Sequence, residues 1–477
     1  MINPVELDHL DKVAASVFEG YLVRKDLVRT YARQYPVPTY VVEFLLGRYC
    51  ASTNELEIQE GLEIVGKQLK GRTVRTGDEE LFKARAREEG SIKLIDIVKA
   101  RLDTKNDCYV AELPSLNLRD VQIADSLVKE NERMLTDGFY SEVTLEYDPI
   151  IAQEKYGRPF RIAALRPIQM SNPNVLDILA RSRQVFTTEE WRDFLIRSIG
   201  LEPSALSERA KMVVLLRMVP FVERNYNLVE LGPRGTGKSH LFQQISPYSH
   251  LISGGKATVA KMFVNNANGQ RGLVCQYDVV CFDEISGISF DQKDGINIMK
   301  GYMASGEFSR GKESIRADGG IVMVGNFDVD VEQQQRIGHL LSPLPKEMRD
   351  DTAFHDRIHA FVPGWDFPKL NPIEHFTNHF GLVSDFLSEC WHRLRDISRT
   401  SILQNRVFWG GALSGRDIEA VNKTVSGLIK LLFPDPEMSV PDDDLEWIVR
   451  VALESRRRVK EQQKRCLKSE FRNTHFS

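Results

Sequence analysis

The chain contains 477 residues, of which 42% are hydrophobic and 27% are charged, and its formal net charge is −4. This composition is that of a folded globular protein of roughly two to four domains. The charge excludes a uniformly basic chain, so any contact with nucleic acid requires local basic patches. We expect no membrane span and no signal peptide, because no apolar run approaches about 18 residues and the N-terminus lacks a basic-then-apolar pattern. The six cysteines form no CxxC pair, which favours a reducing cytoplasm and no structural zinc.

Residues 1–90 are predicted to form an N-terminal helical domain with two basic clusters. The stretch VPTYVVEFLLGRYC (37–50) places a proline near a helix start and apolar residues on one broad face. The clusters comprise Arg24, Lys25, Arg29 and Arg33, and then Lys67, Lys70, Arg72 and Arg75. Such clusters either form solvated faces or contact DNA phosphates without reading the sequence. We predict the DNA contact for Arg24, Lys25 and the whole second cluster.

Residues 91–170 show the short, alternating pattern of strands. Five stretches carry it, separated by turn signals: SIKLIDIVKARLD, CYVAEL, VQIADSLV, YSEVTLEYD and FRIAALRPIQ. They predict a small β-rich domain, either a barrel or a sandwich, and an oligonucleotide-binding barrel is one option. Residues 171–200 are predicted to be a connector.

Strands and helices alternate over residues 201–375, which predicts a parallel sheet covered by helices. Within this core, LGPRGTGKS fits the pattern GxxxxGK[ST], after an apolar strand and before a helix pattern. The glycines let backbone N–H groups surround the phosphates of ATP, and the lysine reaches the β- and γ-phosphates. The predicted ATP-binding residues are Gly232, Pro233, Arg234, Gly235, Thr236, Gly237, Lys238 and Ser239. A chance glycine-rich turn is the alternative.

Two further strand ends are expected to complete a site for ATP hydrolysis. QYDVVCFDEISG has the pattern of a buried strand that ends in Asp283 and Glu284. Asp283 and the hydroxyl of Ser239 are predicted to hold Mg²⁺, and Glu284 to polarise the attacking water. The apolar strand GIVMVGNFD ends at Asn326, which either orients that water or only caps a turn.

Two arginines occupy positions that resemble those of AAA+ ATPases. Arg357 precedes another apolar strand and, like an arginine finger, is predicted to reach the ATP of a neighbouring subunit, with Arg349 as the second candidate. Arg416 begins a helix, as a sensor-2 arginine does. For Arg357 and Arg416 the alternative is a surface ion pair. A finger that acts between subunits predicts a ring, most simply a hexamer.

The region after the core is expected to be helical at first and then largely polar. Residues 376–433 are predicted to form a helical lid, and residues 434–477 an acidic linker with a basic tail. The predicted fold class is an α/β AAA+ ATPase, with a parallel sheet flanked by helices on both faces and a helical lid. A mixed α and β N-terminal region precedes it.

A basic hairpin is predicted between the second and third of the strands that carry the nucleotide motifs. The stretch GEFSRGKESIRADGG (306–320) has a strand–turn–strand pattern with Gly-Lys at the turn. This insertion resembles the presensor-1 hairpin of some AAA+ proteins. Its Arg310, Lys312 and Arg316 are candidate contacts to a DNA backbone in a ring channel. An ordinary solvated hairpin is the alternative.

Motifs along nearly the whole chain resemble those of one family. VFEGYLVRKDLV, VPTYVVEFLLGRYCAS, LGPRGTGKSH, DEISG, SGEFSRGKE, MVGNFD, FHDRIH and LSGRDIEAVNK together resemble the BrxL family, the Lon-like AAA+ proteins of bacterial BREX phage-defence systems. The resemblance implies a cytoplasmic bacterial ATPase that uses ATP and Mg²⁺. It also implies hexameric rings, singly or as two stacked rings, that bind double-stranded DNA, with other BREX components as candidate partners. It further implies that this subunit does not cleave the phage DNA.

One departure from the family affects the expected activity. Full-length members carry a Lon-like protease domain after the lid and a basic RRRVKEQ segment, whereas here that segment is Arg456–Gln462 and the sequence ends at Ser477. We therefore expect no peptidase activity. An ATP-driven DNA translocase or clamp is the leading prediction. The alternatives are a polypeptide unfoldase that grips its substrate through Met262 and Phe263, and a switch in which ATP only controls assembly.

Overall fold

The computed structural model describes residues 5–135, 138–169, 172–264, 271–290, 295–310, 313–328, 330–337, 339–467, 474 and 476. The chain divides into two compact units. The first comprises Met1–Ser171 with His379–Phe386, and the second comprises Asn172–Asn378 with Leu387–Ser477. Among the described helices, none combines the length and the apolar character that a membrane span requires.

The helices and strands are numbered here in chain order. The helices are α1 His9–Val17, α2 Lys25–Ala32, α3 Thr39–Tyr49, α4 Glu55–Arg72, α5 Glu79–Glu89, α6 Asp125–Glu130, α7 Val175–Arg183, α8 Thr188–Ser198, α9 Glu208–Val222, α10 Lys238–Gln244, α11 Val259–Met262, α12 Gly295–Ser305, α13 Val331–Ile337, α14 Lys346–Arg349, α15 Thr352–His355, α16 Ser384–Leu394, α17 Gly415–Leu432 and α18 Asp442–Cys466. The strands are β1 Leu22–Arg24, β2 Ser91–Asp103, β3 Cys108–Leu113, β4 Leu118–Ile123, β5 Phe139–Tyr147, β6 Phe160–Pro167, β7 Leu228–Gly232, β8 Ser249–Ser253, β9 Lys256–Ala257, β10 Val279–Asp283, β11 Ser289–Phe290, β12 Glu307–Arg310, β13 Glu313–Arg316, β14 Gly320–Asn326, β15 Ala360–Pro363 and β16 Phe380–Leu382.

The N-terminal region of the first unit contains a strand pairing that the sequence did not predict. α1 begins with a capping box between Asp8 and Asp11, which satisfies backbone N–H groups that a helix start leaves without partners. β1 pairs antiparallel with β16, and Leu22 lies opposite Leu382. Because β16 comes from far along the chain, no local sequence pattern reveals this pairing.

The strands predicted over residues 91–170 close into a five-stranded barrel in the order β2-β3-β4-β6-β5. Buried and more exposed side chains alternate along much of β2 and β5, because successive side chains of a strand point to opposite faces. The third predicted stretch is only partly strand, since β4 ends at Ile123 and α6 begins at Asp125. A closed barrel of five strands is compatible with the oligonucleotide-binding option, which stays a prediction.

The segment 171–200 is not a connector, so that prediction is wrong. Its described residues form α7 and α8 of the second unit. The indole N–H of the buried Trp191 donates to the carbonyl of Leu431 at 2.9 Å, and the guanidinium of Arg183 donates to the carbonyl of Leu432 at 2.7 Å. Both carbonyls belong to the last turn of α17, where a helix has no internal partner for them. These two side chains therefore fix α7 and α8 to a helix that is remote in sequence.

A five-stranded parallel sheet forms the centre of the second unit, in the order β15-β7-β14-β10-β8. Every residue of β7 and β15 is buried, as is usual for parallel strands covered on both faces. The α/β class predicted from the sequence is confirmed. β14 lies between β7 and β10, although it follows both in the sequence. The carboxyl ends of these three strands therefore lie side by side, at the edge where ligands of open α/β sheets bind.

The boundaries predicted after the core also need correction. The predicted lid at 376–433 contains β16 as well as helices, and the predicted linker and tail at 434–477 contain the 25-residue helix α18. α18 packs against α17 and β15. Its fully buried Arg456 pairs with the buried Asp417 of α17 at 2.8 Å. Basic residues usually lie at the surface, and the sequence alone did not identify this distant carboxylate partner.

Candidate nucleotide-binding site

The loop between β7 and α10 curves around the side chain of Lys238. Gly235 and Gly237 have φ angles of 81° and 68°, in the left-handed region that favours glycine. The Nζ of Lys238 donates to the carbonyl of Pro233 at 2.6 Å and to Oγ1 of Thr236 at 3.4 Å. The structure thus gathers the predicted ATP-binding residues into one curved segment with the lysine ammonium inside it.

Lys238 also connects this loop to the neighbouring strand. Its Nζ donates to Oδ1 of Asn326 at 3.0 Å. The contact follows from the sheet register, because Asn326 at the end of β14 lies opposite Gly232 at the end of β7. The strand order therefore brings together the residue predicted to bind phosphate and the residue predicted to orient water.

The two predicted acidic residues lie at the end of β10. Asp283 is half-buried and Glu284 is exposed. The carboxylate of Asp283 accepts the backbone N–H of Glu284 at 3.0 Å. Glu284 has a φ of 50°, which is uncommon for a residue other than glycine and occurs more often at functional sites. The strand therefore ends in an abrupt turn directly after Asp283.

The charges around Lys238 are suited to a phosphate ligand with Mg²⁺. Burial lowers the pKa of Lys238 and Arg217 lowers it further, whereas Glu230 and Asp283 raise it. A buried ammonium with this environment is stabilised by an added anion such as a polyphosphate. The hydroxyl of Ser239 and the carboxylate of Asp283 supply the hard oxygen ligands that Mg²⁺ prefers. The residues present therefore fit ATP and Mg²⁺, and Lys238 with the loop N–H groups would hold the phosphates.

A buried ion pair beneath the loop was missed by the sequence analysis. Arg217 of α9 donates to both carboxylate oxygens of Glu230 in β7, at 2.9 and 2.6 Å, and to the carbonyl of Thr236 at 3.2 Å. The guanidinium also lies 4.4 Å from the ring centroid of Phe367. Glu230 could have revealed this pair in the sequence, because a carboxylate in a buried apolar strand requires a partner. The pair thus fixes the loop backbone from below.

The segment after β15 holds the loop from another side. The backbone N–H of Leu370 donates to the carbonyl of Gly235 at 2.9 Å. A Cβ atom added to Gly237 would lie 2.6 Å from Cδ1 of Leu370, a side-chain end that can move aside, so the φ of 68° is the stronger reason for glycine here. The segment after β15 therefore supports the loop mainly through its backbone hydrogen bond.

The two predicted arginines of the AAA+ pattern lie near each other. The Nε of Arg357 donates to the carbonyl of Lys300 at 2.9 Å, and Arg416 pairs with Asp356 at 3.1 Å. Burial, and then the nearby Arg416, lower the pKa of Arg357. Among the contacts of the described residues, neither arginine bonds to Lys238. Their roles in ATP hydrolysis stay predictions.

The basic hairpin is present as β12 and β13, which pair antiparallel with Glu307 opposite Arg316. Its base is anchored in the core, because the buried ring of Phe308 packs against Phe263 at a centroid distance of 5.0 Å. Arg316 is exposed. Lys312 and the side chain of Arg310 lie outside the described residues, so the contacts predicted for them stay predictions.

Arg24 and Lys25 do not form a DNA-binding surface, and the prediction for these two residues is wrong. Arg24 is 0% exposed and its guanidinium pairs with Asp26 at 2.7 Å and with Glu55 at 2.8 Å. Lys25 is 2% exposed and pairs with the buried Glu43. Both cations are therefore enclosed and already balanced by carboxylates.

The second basic cluster remains at the surface. Lys67, Lys70 and Arg75 are exposed, and Arg72 is half-buried. Arg72 pairs with Glu142 of the barrel at 2.9 Å. The DNA contacts predicted for these four residues stay predictions.

The arrangement of the sheet, the loop around Lys238 and the two neighbouring strand ends is that of an α/β ATPase domain. Comparison with protein families gives the same class and a narrower group. Residues 160–477 match the model described as "Lon-like protease BrxL-like, ATPase domain", and residues 16–147 match that described as "BREX system Lon protease-like protein BrxL N-terminal". The chain therefore belongs to the BrxL family.

Two curated relatives cover almost the whole chain. The Lon-like protease BrxL of Escherichia coli O9:H4 (strain HS) is 44% identical over 468 residues, which are 98% of this chain and 66% of the relative. The Lon-like protease BrxL of Bacillus cereus (strain H3081.97) is 44% identical over 461 residues, which are 96% of this chain and 67% of the relative. The chain thus spans about two thirds of the length of these relatives.

Proposed function

We propose that this chain is an AAA+ ATPase that binds ATP with Mg²⁺ and hydrolyses it to ADP and phosphate. The observation that carries the proposal is the hydrogen bond between Lys238 and Asn326. It connects the phosphate-binding loop to a strand that lies between the loop strand β7 and the acidic strand β10. A polar residue at this position can respond to the γ-phosphate, which supports the AAA+ class over a generic P-loop enzyme.

The first residues of α10 and the residues at the ends of β10 and β14 each have a proposed role in hydrolysis. Lys238 balances the charge of the phosphates, and Ser239 and Asp283 hold Mg²⁺. Glu284 accepts the proton of the water whose oxygen attacks the γ-phosphorus, and Asn326 orients that water. The bond from the γ-phosphorus to the bridging oxygen breaks, and ADP and phosphate leave.

We further propose that the chain forms a hexameric ring, because Arg357 is the candidate finger for a neighbouring ATP. Among the contacts of the described residues, the guanidinium of Arg357 donates to backbone carbonyls, including that of Lys300, and forms no ion pair with a carboxylate. It therefore keeps its positive charge for a phosphate from outside the chain. Arg416 is proposed to act from the chain's own α17, as a sensor-2 arginine.

Double-stranded DNA is the proposed partner of the ring, in phage defence of the BREX type in the bacterial cytoplasm, together with other BREX components. The hairpin of β12 and β13 supports this proposal because it follows β10 and precedes β14 in the sequence, and both of these strands end at the site. The exposed Arg316 on this hairpin can contact a DNA backbone as the site changes state. Phosphate contacts of this kind give binding without base specificity.

A polypeptide unfoldase is less well supported by the structure. Its candidate gripping residues, Met262 and Phe263, are both fully buried in the core of the second unit. A pore that pulls on a polypeptide needs such side chains at its surface. The remaining alternative is a switch in which ATP controls assembly without driving movement along DNA.

Electron microscopy with ATP and duplex DNA tests the proposal. We expect hexameric rings, singly or stacked, with the duplex inside the channel and the hairpins facing it. The absence of rings, or DNA bound only on the outside, would overturn the ring-and-channel proposal. Rings on DNA that show no DNA-dependent change in ATP turnover would favour the assembly switch over the translocase.

A further inference from the structure

A cleft of about 390 Å³ lies on the outer face of the barrel, where it meets the ends of two N-terminal helices. Four of the side chains that line it are basic and one is acidic. They are Arg48, Arg72, Lys93 and Arg166, with Glu142. The cleft therefore carries an excess of positive charge in a chain whose net charge is negative.

The barrel register brings the cleft residues of three strands onto one surface. On β2 and β5, Lys93 lies opposite Thr144, and on β5 and β6, Glu142 lies opposite Arg166. Because Glu142 and Thr144 are two residues apart, they lie on the same face of β5. Four separate elements thus supply the cations, since Arg48 comes from α3 and Arg72 ends α4.

Two of the guanidiniums are held in place before any ligand binds. The Glu142 carboxylate accepts from Arg48 at 3.0 Å and from Arg72 at 2.9 Å. Arg72 also donates to Oε1 of Gln68, whose amide donates to the hydroxyl of Tyr49 at 2.8 Å. A single carboxylate therefore positions two arginines and balances only one of their charges.

The other two cations, Lys93 and Arg166, form a second group in the cleft. Lys93 and Arg166 are exposed, and within the described part of the chain neither forms an ion pair. Arginine presents a planar fork that matches two phosphate oxygens, and lysine supplies a point charge. The cleft therefore offers fixed guanidiniums beside free cations, which suits a chain of phosphates spaced along a polymer better than one small anion.

We propose that this cleft binds the phosphodiester backbone of double-stranded DNA. The proposal rests on the DNA-binding function proposed above and gives it a site in the first unit, in place of the enclosed Arg24 and Lys25. Glu142 has a double role here. It positions Arg48 and Arg72, but it also repels the phosphates and competes with them for both guanidiniums.

Charge reversal in the 477-residue chain tests the site with a fluorescent duplex of random sequence. We expect Lys93→Glu/Arg166→Glu to lower the affinity for the duplex at least tenfold and to reduce the slope of log affinity against log salt by about two. The control is Lys105→Glu/Lys129→Glu, which makes the same change of charge at exposed positions outside the cleft. ATP binding should remain unchanged in both variants and serves as the test of folding.

Glu142→Gln gives a result that a purely structural role would not produce. Removing this charge should raise the affinity for the duplex several-fold, because both guanidiniums become available to phosphate. If Lys93→Glu/Arg166→Glu lost no more affinity than the control variant, or none at all, the cleft would not be a DNA-binding site. The proposed DNA binding by the chain would remain intact. Failure of the unmodified chain to bind any duplex would overturn both proposals.

Discussion

The buried pair of Arg217 and Glu230 shows how single residues prepare the nucleotide site. The pair is almost fully enclosed, and Arg217 reaches the carbonyl of Thr236 in the loop. Enclosed charges contribute little net stability by themselves, but removing one partner leaves the other uncompensated. The loop conformation around Lys238 therefore depends on two residues that lie outside the loop itself.

Glu230→Gln is expected to lower both the stability and the nucleotide response of the protein. The free energy of unfolding should fall by roughly 3–5 kcal/mol, because Arg217 remains as an uncompensated buried charge. Denaturant unfolding without ATP measures the fall in the free energy of unfolding. The same measurement with ATP should show that ATP stabilises Glu230→Gln less than it stabilises the unmodified chain. Glu60→Gln, at an exposed position, should change stability by no more than about 0.5 kcal/mol. Equal stability of the two variants would contradict the role of the pair.

At the scale of elements, α17 and α18 are held together around Asp417. Its carboxylate accepts from Arg456 at 2.8 Å, from Lys460 at 2.8 Å and from Ser414 at 2.7 Å. Arg456 also donates to the carbonyl of Ile358, directly after Arg357. The helix predicted as a tail therefore supports both the helix of the candidate sensor-2 arginine and the segment of the candidate finger.

This cluster predicts a loss of stability in acid. Burial alone would raise the pKa of Asp417, but Arg456, Lys460 and Ser414 lower it to about 2. Because the folded pKa lies below the unfolded value, the stabilisation is present above about pH 4 and is lost as the pH falls towards 2. Asp417→Asn should therefore be less stable than the unmodified chain at pH 7, with a difference that shrinks towards pH 2.

Denaturant unfolding over this pH range, with the exposed Asp443→Asn as control, measures the effect. The control should follow the unmodified chain at every pH. A difference for Asp417→Asn that does not depend on pH would show that ionisation of Asp417 is not the cause.

The sequence predicted elements well where the pattern was local and poorly where the partner was remote. The parallel sheet, the glycine-rich loop after β7 and the strand ends at Asp283 and Asn326 followed from short apolar runs next to polar residues. α7, α8 and α18 did not, because side chains such as Trp191 and Arg456 have partners that only the fold brings close. The enclosure of Arg24 was missed for the same reason, since composition cannot show that a carboxylate covers a cation.

At the scale of the whole molecule, the proposal requires that one ATP is hydrolysed by groups from two subunits. Arg357→Ala should bind ATP but lose turnover, and so should Glu284→Gln. Mixing the two inactive variants should restore activity, because Arg357 of one subunit then meets Glu284 of the next. In a random one-to-one mixture, roughly one quarter of the interfaces have both residues. ATP turnover of the mixture measures this, and no recovery after mixing would show that Arg357 does not act between subunits.

The most direct test of the central claim is the ATP turnover of Glu284→Gln measured beside its affinity for ATP. This variant should bind ATP about as tightly as the unmodified chain does, because Lys238 and the loop remain intact. Phosphate release should fall at least about a hundredfold, because the group that accepts the proton of the water is gone. Glu60→Gln should leave both quantities unchanged. If Glu284→Gln hydrolysed ATP at the rate of the unmodified chain, the assignment of hydrolysis to this site would be contradicted.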